Sequence, residues 1–290
     1  MQLQVRKAIL VSFFLATLAL SVSPRLSRAQ AWTPPQDNNN QAAGDLLKLP
    51  EVAKMPDVVG VRLGMSPVEA LQTLHKQYPT DRYQEMKVTW WPSAQKPDYG
   101  FNILSPDPSG TPDAYISFTA PPSRQVVWRL VRYTRKVNVN RATLLAALRQ
   151  KYGKESLAAA EGGLLVGDDA SIGQLVWLFD EHGGRAPAPA PQAFGGGTAM
   201  ACASMNGSYQ PIMPRNDEEA HTYFRDVCTS FVVLRISIGS TEIVTNTITE
   251  FFDAPLAVRT AHASEMWQRN AAERARQEEL ERSKKVKPSL

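Results

Sequence analysis

Any chemistry in this chain must be assembled from residues that lie far apart. Asp168 and Asp169, which follow Val166-Gly167, are an adjacent carboxylate pair that could act as an acid and a base on one substrate. Adjacent carboxylates beside a glycine also serve as solvated turn residues, and the sequence favours that reading. The histidines His75, His182, His221 and His262 are widely separated, and none forms a helical metal-binding pair. His75 falls on a helical stripe and reads as a boundary residue. No Gly-x-Ser-x-Gly elbow, phosphate loop or dinucleotide loop occurs. Gly195 to Gly197 follow no strand and open no helix, so they read as linker. No catalytic set, metal-ligand set or cofactor is expected. An enzyme reading survives only as a periplasmic hydrolase whose site is built from distant residues.

The cysteines are Cys202 and Cys228. In an oxidising compartment they are most simply one disulfide, which stabilises by about 3–4 kcal/mol on the chain-entropy model. A zinc site that adds His221 is the alternative, but the spacing matches no compact ligand pair. The oxidising compartment is itself read from the first 31 residues. Arg6 and Lys7 precede an apolar run from Ala8 to Leu20, and Ala29-Gln30-Ala31 offers a small-x-small exit. That is the pattern of a cleaved secretory signal, and it predicts a periplasmic or secreted protein. No second run of about 20 apolar residues follows to span a bilayer.

Cleavage changes the charge. The chain has 32 basic and 28 acidic residues, net +4, and the leader holds Arg6, Lys7, Arg25 and Arg28 with no acid. The remainder has 28 of each sign and is neutral, so nucleic acid is not an expected partner.

The elements read as a flexible leader over 32–56, then two units. In the first, 57–137, Ser66 and Glu69 form a capping box and Pro67 sits at the first helical position. Val68, Leu71, Leu74, His75 and Tyr78 make the stripe, and Pro79 stops the helix. Strand-like runs follow at Met86–Trp91, Tyr99–Leu104, Ala114–Thr119 and Gln125–Val137. The second unit, 138–252, restarts with Asn140 as cap, Leu144, Leu145, Leu148 and Tyr152 as stripe, and Gly153 as stop. An offset of 74 places Leu71 on Leu145, Leu74 on Leu148 and Tyr78 on Tyr152. Strand-like runs come again at 173–179, 198–204, 231–240 and 242–252. The Pro/Ala/Gly run 183–197 is an insertion, and 205–222 is a second polar excursion. Residues 253–290 read as a charged C-terminal helix and tail that packs through Trp267 and is solvated beyond it. The fold class is therefore α+β: two tandem helix-plus-antiparallel-sheet units, each helix covering a sheet of its own, with a charged C-terminal helix.

The segment Leu63-Gly64-Met65-Ser66-Pro67-Val68-Glu69-Ala70 resembles the glycine–methionine–threonine/serine helix start of two groups. These are the small outer-membrane-assembly lipoproteins and the β-lactamase inhibitor protein. The resemblance covers one eight-residue motif plus the architecture, and the second helix has Val137-Asn138-Val139 where the motif would stand. It implies a helical layer on an antiparallel sheet and a protein–protein or envelope-assembly role. It assigns no functional residue.

Two features could form a binding surface. From Ala114 to Lys154 there is no acid, while Arg124, Arg129, Arg132, Arg135, Lys136, Arg141, Arg149, Lys151 and Lys154 are basic. Alternation puts Arg129 and Arg135 on one strand face and Arg132 and Lys136 on the other. Such a field suits an acidic envelope protein or an anionic envelope component, unless acids elsewhere neutralise it. Trp90 and Trp91, with Tyr99 and Phe101, could anchor a partner or simply pack in the core. The expected role is thus non-catalytic binding, with Arg129, Arg132, Arg135, Trp90 and Trp91 as the candidate surface.

Overall fold

The computed structural model describes residues 55–87, 98–106, 112–160, 166–187, 214–216, 218–220 and 230–285. The expected signal segment, nearly all of the expected leader, Trp90, Trp91, Cys202, Cys228 and His221 lie outside the described residues. So do the strand expected over 198–204 and most of the 183–197 insertion.

Helix α1 spans Pro67–Gln77 and starts where its capping box places it. The Glu69 N–H donates to Ser66 Oγ at 3.3 Å, and the Glu69 carboxylate accepts from the Ser66 N–H at 3.0 Å. The Ser66 hydroxyl, which donates to the same carboxylate at 2.8 Å, and then the Ser66 N–H hold the Glu69 carboxyl below its usual range. Ala70, Leu71 and Leu74 form the buried stripe. Helix α2, Arg141–Tyr152, begins at Asn140, whose side chain accepts from the Ala142 N–H at 2.9 Å. It stops at Gly153, where φ is 77°, a left-handed conformation that strains other L-residues. Leu145 is buried, while Leu144 and Leu148 are half-buried.

Among the described residues, eight strands form one antiparallel sheet. They are β1 (Arg82–Lys87), β2 (Asp98–Leu104), β3 (Pro112–Phe118), β4 (Val127–Asn140), β5 (Leu157–Ala159), β6 (Gln174–Phe179), β7 (Val232–Ser237) and β8 (Ile243–Asp253). Their order is β1-β2-β3-β4-β8-β7-β6-β5. Each helix is followed in sequence by four strands that pair in succession. The expectation of a separate sheet beneath each helix is corrected, because β4 and β8 pair from Arg129↔Phe252 to Asn140↔Ile243. Kept apart, these two long strands would each expose an open row of backbone groups; their union removes both edges. Strand β1 also starts earlier than the apolar run from Met86 suggested. It is a polar edge strand with Arg82, Gln84, Glu85 and Lys87 exposed, so hydrophobicity does not mark its first half.

Both short helices lie on one side of the sheet. Beneath them the rows Ile103–Ala114 and Phe101–Ile116–Leu130–Phe251–Leu234–Trp177 are buried. Trp177 Nε1 donates to the Gly153 carbonyl at 2.8 Å, and its ring meets that of Tyr152 at 5.5 Å. A third helix, α3 (Ala254–Lys284), leaves the end of β8 and lies against β4 and β7. Its N-cap, Asp253, is fully buried and accepts from the Leu256 N–H at 2.8 Å. Burial pushes that carboxyl up to about 6. Ala257, Thr260, Ala261 and Ser264 are the buried stripe of α3. These small side chains, with Trp267 only half-buried, bring the helix backbone close to its support. Every residue from Ala272 to Lys285 is exposed.

Candidate functional site: the helix-free side of the sheet

Strand pairing aligns one residue from each strand in a row across the side opposite α1 and α2. The row reads Gln84, Asn102, Tyr115, Val131, Glu250, Arg235, Val176, Leu157. Its chemistry changes along its length. At the β5–β6–β7 end, Val176, Leu178, Val233 and Phe252 pack with Leu256 and Ala257 of α3 in an apolar core. In the middle, Glu250 is 1% exposed and bridges two buried arginines. Its Oε1 lies 3.3 Å from Arg129 Nη2, and its other oxygen contacts Arg235 Nη2.

Beyond the part that α3 covers, toward β1, the same side stays accessible, and this uncovered part is its helix-free side. Arg82, Gln84, Arg135 and Asn246 are exposed, and Asn102, Tyr115, Tyr133 and Ile248 are half-buried. The rings of Tyr115 and Tyr133 meet edge to face at 5.8 Å, and Arg135 lies over Tyr133 at 6.0 Å. Arg135 is held from behind, its Nη1 2.6 Å from Asp113 and its Nη2 donating to the Pro112 carbonyl at 2.7 Å. Asn102 Nδ2 donates to Gln84 Oε1 at 3.4 Å. The result is a surface of aromatic rings and amides on a rigid sheet. Such groups contribute contact area and hydrogen bonds with little ordering cost.

The expected binding residues divide between the two sides and the core. Arg129 is corrected: it sits at the sheet centre, 1% exposed and paired with Glu250, so no partner reaches it. Arg132 points to the helical side and donates through Nε to the Tyr78 hydroxyl at 3.0 Å, which excludes it from the same surface. Arg129 and Arg135 do share one side, and of the three only Arg135 is exposed on it. Several other members of the basic run are also engaged within the fold. Beyond Arg129 and Arg135, Arg149 pairs with Glu155 at 2.6 Å and Asp169 at 2.7 Å, and Lys151 approaches Asp57 at 3.5 Å. Arg141 donates to the carbonyls of Thr241 and Ile172. A broad positive field is therefore not what this side offers.

The other chemical candidates have structural work. Asp168 caps a short 3-10 turn, accepting from the Ser171 N–H at 2.9 Å. Asp169 is held below its usual range by the hydrogen bond from Arg149. His75 meets the Tyr83 ring at 5.8 Å, and His182 and His262 are exposed elsewhere. A cleft of about 540 Å³ opens between the end of α2 and β5, but its Arg149, Glu155 and Asp169 satisfy one another. Among the described residues no group of three or more His, Cys, Asp or Glu is arranged to hold a metal ion.

One cluster escaped the sequence. Asp81, in the turn after α1, comes close enough to Asp113 at the start of β3 to feel its charge. Burial, then the Asp113 carboxylate, push Asp81 up to about 6. Asp81 and Asp113 are 32 positions apart across two strands and a loop, so no local spacing marks them. Tyr115, Tyr133 and Arg135 were more legible, since alternation along β3 and β4 puts them on one side. Comparisons with family models, with curated proteins and with solved structures return no match to the chain.

Proposed function

We propose that this is an exported, non-catalytic binding protein that takes an envelope protein on the helix-free side of its first four strands. The observation that carries this reading is the contrast between the two ends of one sheet. The last strands are covered on both sides, whereas Gln84, Asn102, Tyr115, Tyr133 and Arg135 remain exposed or half-buried beside a rigid, fully buried layer. Tyrosine and arginine are the residues that most often anchor interfaces, and both are already fixed in place here. The order helix, then four successive antiparallel strands, occurs twice and supports a duplicated unit. It also supports the architecture implied by the likeness of Leu63–Ala70 to the inhibitor and assembly proteins. Divergence between the two copies would account for only one keeping an open side.

Two results are expected. N-terminal sequencing of the exported protein begins at Trp32; a mature form that retains Arg6 and Lys7 in the cytoplasm would contradict export. Changing Tyr115 and Tyr133 together to alanine lowers partner affinity at least about 30-fold, since two anchors at 1–2 kcal/mol or more each are removed. The check is quantitative binding of a captured envelope partner, with Leu280→Ala on the exposed end of α3 as a neutral control. Unchanged affinity in the tyrosine variant would move the interface elsewhere.

A further inference from the structure

We propose that the outer edge of β1 is a self-pairing surface, where a second copy of this chain adds its own β1 antiparallel about a two-fold axis at Gln84. The inference goes beyond the binding reading and does not depend on it. Strand β1 ends the sheet order, and among the described residues no strand pairs with its other edge. Its six residues, Arg82–Lys87, are mostly polar, and Arg82, Gln84, Glu85 and Lys87 are exposed. Such an edge offers a row of open backbone N–H and C=O groups to any extended chain whose side chains fit.

The charges along the strand select the partner and its register. Backbone groups point outward on alternate residues, so two copies of one edge can only oppose residues of the same parity. Centring the pair on Tyr83 sets Asp81 against Glu85, and centring it on Arg82 or Glu85 sets that residue against itself. Centring it on Met86 or Lys87 leaves the first half of β1 unused. Centred on Gln84, the opposed pairs are Asp81 with Lys87, Arg82 with Met86, Tyr83 with Glu85, and Gln84 with its own copy. No like charges meet in that register, and opposite charges meet twice, which stabilises an antiparallel pair. The same pairing gives Asp81 a cation: its Oδ2 is buried with no hydrogen-bond partner among the described residues. Lys87 lies 3.0 Å from Glu85 of its own chain, but both side chains are 52% exposed, and such a pair rearranges at little cost. The charges and the bulge between Met86 and Lys87 act against unrelated strands. Because residues of equal parity lie on one side of a sheet, the Tyr115 and Tyr133 sides of the two copies face the same way.

The test is sedimentation equilibrium of the exported chain from micromolar to millimolar concentration, together with cysteine cross-linking. A reversible dimer is expected, weak because an edge contact is small. Oxidation of Gln84→Cys should lock it as a disulfide, since directly opposed residues have Cα atoms about 4.5–5.5 Å apart, within disulfide reach. Arg82→Cys is the register control, with the unsubstituted chain as blank. Its two copies stand four positions out of line, about 14 Å apart, and do not cross-link. Lys87→Glu, which sets a second carboxylate against Asp81, should weaken the dimer about tenfold. Adding Asp81→Lys to the same chain should restore most of that loss, and matching circular dichroism shows that both variants are folded. A chain that stays monomeric throughout overturns the proposal. Protection of the β1 amides from exchange in that monomer would assign the edge to a segment of the same chain. A dimer that Gln84→Cys does not lock, or that Arg82→Cys locks equally well, also overturns it, as does a charge exchange that restores nothing.

Discussion

Replacing Glu250 with alanine is expected to lower folding stability by about 3–5 kcal/mol, a large part of what a domain possesses. Glu250 is 1% exposed and lies between Arg129, also 1% exposed, and Arg235, 7% exposed. These residues stand on β8, β4 and β7, so the triad crosses the seam that joins the two sets of strands. Alanine removes the carboxylate that both buried guanidinium groups contact. Their mutual repulsion and lost solvation then act against the folded state, a far larger effect than loss of a surface ion pair. Denaturant unfolding of the two proteins measures the difference through the shift in midpoint. A triple change, Arg129→Met with Glu250→Leu and Arg235→Met, should keep most of the stability, because no charge is left without its counterpart. A loss below about 1 kcal/mol for Glu250→Ala would show that the seam does not depend on this carboxylate.

Trp177→Ala should cost a similar amount, about 3–5 kcal/mol, through the cavity it leaves in a fully buried layer. Trp177 is 0% exposed, its ring lies tilted against that of Tyr152, and it donates to the Gly153 carbonyl at the end of α2. Removing it uncouples α2 from β6 as well as emptying the core. Trp177→Phe separates these contributions: it keeps most of the apolar volume and loses the hydrogen bond, at a cost nearer 1 kcal/mol plus any repacking. Equal losses for the two variants would place the stabilising role in the hydrogen bond, against the packing account.

Helix starts were the most legible part of the fold, because caps and stops act within a few residues. Ser66, Glu69 and Pro67 fix α1, and Asn140 and Gly153 bound α2, through contacts the sequence states directly. Long apolar strands were legible for the same local reason. The joining of all eight strands into one sheet was not, since the β4–β8 pairing depends on residues more than 100 positions apart. The fate of the basic run was equally hidden. Arg129 reads like a surface residue by charge and like a core residue by its neighbours Trp128 and Leu130. Only the approach of Glu250 decides between them. The face shared by Tyr115, Tyr133 and Arg135 follows from alternation, yet which side the helices would leave open is a tertiary outcome.

The most direct test of the binding account is side-chain footprinting of the protein with and without its captured envelope partner. Hydroxyl radicals report the accessibility of Met86, Tyr115 and Tyr133 on one side, and of His75 and Tyr152 on the helical side. The account predicts strong protection of Tyr115, Tyr133 and Met86 in the complex, with His75 and Tyr152 unchanged. Protection confined to α1, α2 or the cleft beside β5, with both tyrosines as reactive as in the free protein, would contradict it.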